Sequence, residues 1–408
     1  MLYFRSLLIL ALLVLVACQP TSESQTPTIE TATALAHQYV IVDGHVDLPY
    51  RMRIHNFQLE REYLDPAGSN PEADFDFPRA KEGGLDAPFM SIYLPSRYQE
   101  FPGRSREVAD SLIDMVEGLA AQYPDQVALV STPQDVQTAF EAGKIALPMG
   151  MENGSPIEED IANVKHFYER GIRYITLTHA KDNKICDSSY DTTGTWGGLS
   201  PFGEEVVQEM NRVGIMVDIS HVSDSAFWDV MALTDVPMIA SHSSARYYTP
   251  GFERNMNDEM IQALAEKGGV IMINFGSTFI DSTSRVRSSE MRDAYSEYLK
   301  GVEMEDNDSI QDVFFNNYRM DHPDFYSDVQ RVADHIDHVV KLAGVEHVGF
   351  GSDFDGVGDS LPRDLKNVSQ YPNLILELLK RGYTEADIEK ICYGNLFRVW
   401  NAVIAAAG

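Results

Sequence analysis

The chain has 408 residues, 44% of them hydrophobic and 23% charged, enough apolar material for a large core and no low-complexity block. Acids outnumber bases 62 to 32, for a formal net charge of −30. That balance argues against nucleic acid as a partner, because phosphates need a basic surface, and against adhesion to anionic lipid headgroups.

The first twenty residues, MLYFRSLLILALLVLVACQP, read as an export signal. Arg5 is a short positive segment, and Leu7–Val16 is an apolar run too short to span a membrane comfortably. Leu15-Val16-Ala17-Cys18 resembles the lipobox of bacterial lipoproteins, which implies cleavage after residue 17 and a lipid on Cys18 that anchors the chain to a membrane. Gln19, where an aspartate would signal retention, implies the outer membrane of a two-membrane bacterium. Residues 18–36 then form the lipidated cysteine and a polar tether, and residues 37–408 a single domain. Cys186 and Cys392 are not spaced as a zinc site, and the sequence does not decide whether they pair.

Eight short apolar runs follow: Tyr39–Val42, Ala87–Tyr93, Ile145–Met149, Tyr174–Thr178, Ile215–Ile219, Val236–Ala240, Val270–Phe275 and His347–Phe350. Helix patterns separate most of them. SPIEEDIANVKHFYERG offers Ser155 as N-cap, Pro156 at the first helical position and Gly171 as the stop; SPFGEEVVQEMNRVG repeats the layout up to Gly214. Strand–helix alternation implies right-handed crossovers and a parallel sheet. Eight units predict a (β/α)8 barrel of the TIM type. A doubly wound open sheet is the alternative, weakened because no GxGxxG follows the first strand. Residues 95–143 and 277–326 exceed what a barrel needs; the second insertion follows the seventh strand, where a lid would sit. After residue 360 the chain turns helical, to pack on the barrel or on a second copy in a homodimer.

The ends of these runs share a chemistry. The first leads to His45 and Asp47, the third to Glu152, the fourth to His179, the fifth to His221, the sixth to His242 and the eighth to Asp353 and Asp355. In a barrel the carboxyl ends of the strands converge on one mouth. His45 and Asp47 stand two apart on extended chain and so share a face. Imidazole with carboxylate is the ligand set of zinc and similar divalent ions. Four histidines and four carboxylates exceed one tetrahedral site and suit two metals bridged by a carboxylate. A serine-hydrolase reading fails for want of a GxSxG elbow.

The ordered set VDGHVDLP, GMENG, YITLTHAKDNKICDSSYD, GLSPFGEEVVQEMNRVGIMVDISHVSD, ASHSSAR, HVGFGSDFDG and YGNLFRVW resembles the membrane dipeptidase (renal dipeptidase) family of the metal-dependent amidohydrolase superfamily. The resemblance implies that His45 and Asp47 bind one zinc, His221 and His242 the other, and that Glu152 bridges them as part of the catalytic centre. It implies that His179 contacts substrate and the developing oxyanion, that Arg246 clamps the substrate carboxylate, and that Asp353 carries the proton. The expected activity is hydrolysis of dipeptides with a free C-terminal carboxylate, D-residues at that position included. The pair after Asn274-Phe275, here Gly276-Ser277, departs from the animal pattern, which leaves side-chain preference open. Another metal-dependent amidohydrolase, acting on an acyl amino acid, cyclic amide, lactone or β-lactam, is the alternative; a non-enzymatic metal-binding lipoprotein is a further one.

Overall fold

Parallel strands covered by helices on the outside and packed side chains on the inside are buried on both faces, so they are written as unbroken apolar runs. That is the pattern of Val270–Ile273 and Met216–Val217 here, buried at every position. The computed structural model describes residues 26–54, 65–71, 73–302 and 308–408. The export signal, Cys18 and Gln19 lie outside the described residues.

Ten strands are formed: β1 (Ile41–Val46), β2 (Leu85–Tyr93), β3 (Val127–Leu129), β4 (Ile145–Leu147), β5 (Met149–Glu152), β6 (Ile172–Thr176), β7 (Met216–Asp218), β8 (Ile239–Ser243), β9 (Val270–Ile273) and β10 (Val348–Phe350). Eight close a parallel barrel in the order β1-β10-β9-β8-β7-β6-β5-β2, and helices surround it. The expected (β/α)8 barrel is therefore what the chain builds. Closure comes from pairing of the first and last strands, with Asp43 opposite Phe350.

One expected strand divides. Ile145–Met149 breaks at Pro148, which has no N–H to give to a ladder. β4 pairs outside the barrel with β3, and β5 enters the barrel between β2 and β6. The expected tether also ends early. Thr28 caps a helix, Ile29–Gln38, whose Ala32, Leu35 and Ala36 are buried against the helix Tyr371–Lys380. Apolar residues at i, i+3 and i+4 make that face, so the folded part starts before residue 37. The second insertion forms the helices Ser277–Ile280, Ser282–Val302 and Asp308–Asp321. Among the described residues no helix is long and apolar enough to cross a membrane.

The barrel interior is filled by Val42, Phe89, Tyr174, Met216, Ile239 and Met272. The last helix, Asn395–Ala406, plugs the floor with Trp400, whose ring lies 5.2 Å from that of Phe89. Phe89 in turn meets Tyr174, also at 5.2 Å. Gly150 on β5 leaves the space that the Tyr174 ring fills: a Cβ there would lie 2.0 Å from the ring. Gly150→Ala is therefore expected to cost about 1–3 kcal/mol, the range for overpacking a filled core, read as a lowered urea midpoint at unchanged slope.

Candidate metal and peptide-bond site

The barrel brings the predicted residues together. His45 lies on β1, Asp47 just beyond it, Glu152 at the end of β5 and His242 on β8. His179, His221 and Asp353 sit in the loops after β6, β7 and β10. His221 (φ 67°), Asp353 (φ 64°) and Asp355 (φ 65°) hold left-handed backbone without being glycine. Such strain persists only where the surroundings enforce it, and it collects at functional sites.

Glu152 is the centre. Its Oε1 lies 3.1 Å from His221 Nε2, 3.3 Å from His242 Nε2 and 3.4 Å from His179 Nε2. Its Oε2 lies 3.4 Å from His45 Nε2, which is 3.3 Å from Asp47 Oδ2. His221 and His242 face each other Nε2 to Nε2 at 2.8 Å. Burial works against the Glu152 charge, but His45 and His179 more than compensate and hold its carboxyl well below the usual range. Burial pushes the Asp353 carboxyl up to about 7, aided by the charge of Asp47.

Two histidines have their outward nitrogens fixed by what lies beneath. Tyr174 donates its hydroxyl to the Gly44 carbonyl (3.0 Å), so towards His45 Nδ1, 2.9 Å away, it accepts. Ser241 donates to Asp218 Oδ2 (2.6 Å) and accepts from His242 Nδ1 (2.7 Å). Both rings thus carry their proton on Nδ1 and turn an Nε2 lone pair to the mouth, the orientation a metal ligand needs.

The donors fit divalent ions. Their ligand atoms form three overlapping groups, each within 4.8 Å: His45, Glu152 and His242; Glu152, His179 and His221; His45, Asp47 and Asp353. His45 Nε2 and Asp47 Oδ1 are buried without a hydrogen bond. Imidazole nitrogens converging on a carboxylate at these distances are a donor set that a divalent cation satisfies.

Above the cluster opens a cleft of ≈ 730 Å³ lined by Tyr50, Tyr93, His179, Tyr190 and Phe279 besides the cluster itself, the size of a small-ligand site. The Tyr93 ring stands edge-on to His179 at 4.8 Å.

One expected residue is misplaced. Arg246 does not face the cleft. Its guanidinium makes a two-pronged pair with Asp224 (2.7 and 2.5 Å) and donates to the Asn255 and Glu253 carbonyls, so it clasps its own loop. The arginine at the cluster is Arg254, 2% exposed. Its Nη2 lies 3.0 Å from His221 Nε2 and 2.7 Å from the His242 carbonyl, and its Nη1 bonds Ser243 Oγ at 2.7 Å. Nε has no partner, and among the described residues Arg254 has no carboxylate. Asn274, just past β9, is a second residue the sequence reading missed: its amide donates to Asp353 Oδ2 at 2.7 Å. Cys186 and Cys392 are both buried and free. Asp355 is turned aside, exchanging backbone-to-carboxylate bonds with Asp74.

A parallel eight-stranded barrel whose mouth gathers histidines and carboxylates about one central glutamate is the setting of a metal-dependent hydrolase. The chain belongs to the membrane dipeptidase family (peptidase family M19), whose family model matches residues 29–407, and is a metal-dependent dipeptidase by that membership. An uncharacterised dipeptidase of Schizosaccharomyces pombe is 34% identical over 375 residues, which span 88% of this chain and 79% of that protein. The crystal structure of the probable dipeptidase PvdM from Pseudomonas aeruginosa superposes with a TM-score of 0.78 at 25% identity, covering 93% of this chain and 99% of that one. A metallopeptidase from Rhodobacter sphaeroides, liganded with a phosphinate mimic of the dipeptide L-Ala-D-Ala, has the same fold: TM-score 0.71 at 22% identity, covering 90% and 99%.

The two arginines are expected to behave oppositely. Arg246→Ala breaks a half-buried ion pair and should cost roughly 1–3 kcal/mol. Arg254→Ala removes a buried charge that lacks a counter-charge, whose burial is itself unfavourable, and should leave stability unchanged or raised. Thermal melts of the two variants check this.

Proposed function

We propose that the protein cleaves the peptide bond of dipeptides carrying a free C-terminal carboxylate, D-residues at that position included, with two zinc ions in its mouth. The observation that carries this reading is the buried Arg254 guanidinium, without a carboxylate among the described residues, set against the histidines of the cluster. His45 and Asp47 would hold one ion, His221 and His242 the other, and Glu152 both. When bound, such ions supply an acidified water near neutral pH and a Lewis-acid contact for the scissile carbonyl.

The chain's own groups do the rest. Arg254 takes the substrate carboxylate in a two-pronged bond and so fixes the distance from that charge to the scissile bond. His179, steadied by Tyr93, donates to the carbonyl oxygen as it gains charge. Asp353, oriented by Asn274, accepts the proton of the attacking water and delivers it to the leaving amine.

The first test compares a dipeptide with its C-terminal amide. The wild type should strongly prefer the free acid, and Arg254→Ala should lose that preference with a higher KM and a lower kcat. Equal rates on both substrates would favour a general amidohydrolase. Elemental analysis should find two ions per chain, and Glu152→Gln should lose both. Asp353→Asn should keep the metals yet lose about 10²–10⁴-fold in kcat, the usual contribution of an acid–base group; a near-wild-type rate would assign the proton elsewhere.

We also infer that the chain is exported and held at the outer membrane through a lipid on Cys18. The sequence around Cys18 supports this reading. Labelling with a radioactive fatty acid should vanish in Cys18→Ser.

A further inference from the structure

The insertion after β9 brings a second arginine to the wall that carries Arg254. Arg285, on the helix Ser282–Val302, lies over the ring of Phe252 with its guanidinium carbon 3.4 Å from the ring centre. Phe252 meets Phe279 at 5.9 Å and Tyr190 at 6.0 Å, and both of those rings line the cleft. Arg254 lies over the neighbouring ring, Phe279, with its guanidinium carbon 5.6 Å from the ring centre. The two guanidinium groups thus each lie over one of two adjoining rings. Burial raises the Tyr190 hydroxyl, and Arg254 and Arg285 offset part of that rise.

Arg285 is half-buried, and its polar contact is a long one, 3.5 Å to the Thr278 carbonyl. Among the described residues no carboxylate pairs with it. Arg287, two residues along the same helix, is different: it holds Glu290 and Asp324. Arg173 and Arg398, which also lack an acid among the described residues, are met by backbone carbonyls at short range, as Arg285 is not. Desolvating a cation is costly unless an anion meets it, and stacking on Phe252 returns only part of that cost.

Resting on the dipeptidase reading and on Arg254 as the holder of the C-terminal carboxylate, we propose that Arg285 reads the side chain of the substrate's C-terminal residue, selecting aspartate or glutamate. With its α-carboxylate at Arg254, that residue lays its side chain along Phe279 and Phe252. An acidic side chain has the apolar stem these rings accept and ends in the charge that Arg285 lacks. The insertion, which the barrel does not need, is then a specificity element.

The experiment measures kcat/KM for Ala-Glu against Ala-Gln and for Ala-Asp against Ala-Asn, each with L- and D-residues at the C-terminal position. A charge-assisted hydrogen bond predicts a preference of about tenfold or more for the acid over its amide isostere. Arg285→Gln should bring the ratio to about one, and Arg285→Lys should keep part of it. Arg287→Gln, two residues along the helix and already paired with acids, should keep the wild-type ratio. A wild-type ratio near one overturns the proposal without any variant, so it stays testable even if Arg285→Gln fails to fold. A ratio that survives Arg285→Gln overturns it too. Failure of every dipeptide to react would instead remove the dipeptidase reading, and this proposal with it.

Discussion

Two buried carboxylates hold the mouth of the barrel in shape. Asp43 accepts the backbone N–H of His45 and of Ser352, both at 2.9 Å, and the hydroxyl of Tyr371, so it ties β1 to the loop after β10 and to the helix Tyr371–Lys380. Asp218 accepts Ser220 N–H (3.0 Å), Ser241 N–H (2.8 Å), Ser241 Oγ (2.6 Å) and Thr176 Oγ, so it joins the ends of β6, β7 and β8. Both are fully buried. A buried carboxylate is tolerable only when its oxygens are met by donors, and here the donors belong to the strand ends that carry the site. Position of the ligands and satisfaction of the two acids are one condition. Whatever disturbs either acid disturbs several ligands together.

Much of this was legible because it depends on short-range rules. Strand periodicity places His45 and Asp47 on one face, and parallel closure sends every strand end to one mouth, so the clustering of histidines and carboxylates there was legible in the sequence. What was not legible depends on partners distant in sequence. Arg246 and Arg254 stand eight residues apart in one loop, and nothing local separates them. The choice is made by Asp224, at the start of the helix after β7, which captures Arg246. Asn274 was visible beside Phe275, but its bond to Asp353 spans 79 residues. Pro148 and the stripe Ala32, Leu35 and Ala36 were readable signals, outweighed by the apolar run around the one and the polar stretch before the other.

The electrostatics of the cleft run against the rest of the molecule. A net charge of −30 repels an anionic substrate at long range, although salt at physiological strength screens charges beyond about 8 Å. At one wall of the cleft, cations stand behind the rings: Arg254 lies 5.6 Å from the Phe279 ring centre and Arg285 3.4 Å from that of Phe252. Arg254 and Arg285 stand on a wall of aromatic rings, which lowers the effective dielectric around them and strengthens what they do at contact distance. Recognition by short-range charge on an apolar surface favours fit over steering.

The pairing of the first strand with the last has a consequence for how the molecule comes into being. Asp43 meets Phe350 across the closing seam, and Trp400 seals the floor from a helix that ends at Ala406. No early portion of the chain contains a closed barrel, and none contains both His45 and Asp353. Contacts this far apart in sequence make folding slow relative to topologies built from local contacts. A growing chain therefore cannot close its barrel, or bring Asp353 to His45 and Asp47, until β10 and the loop after it have been made.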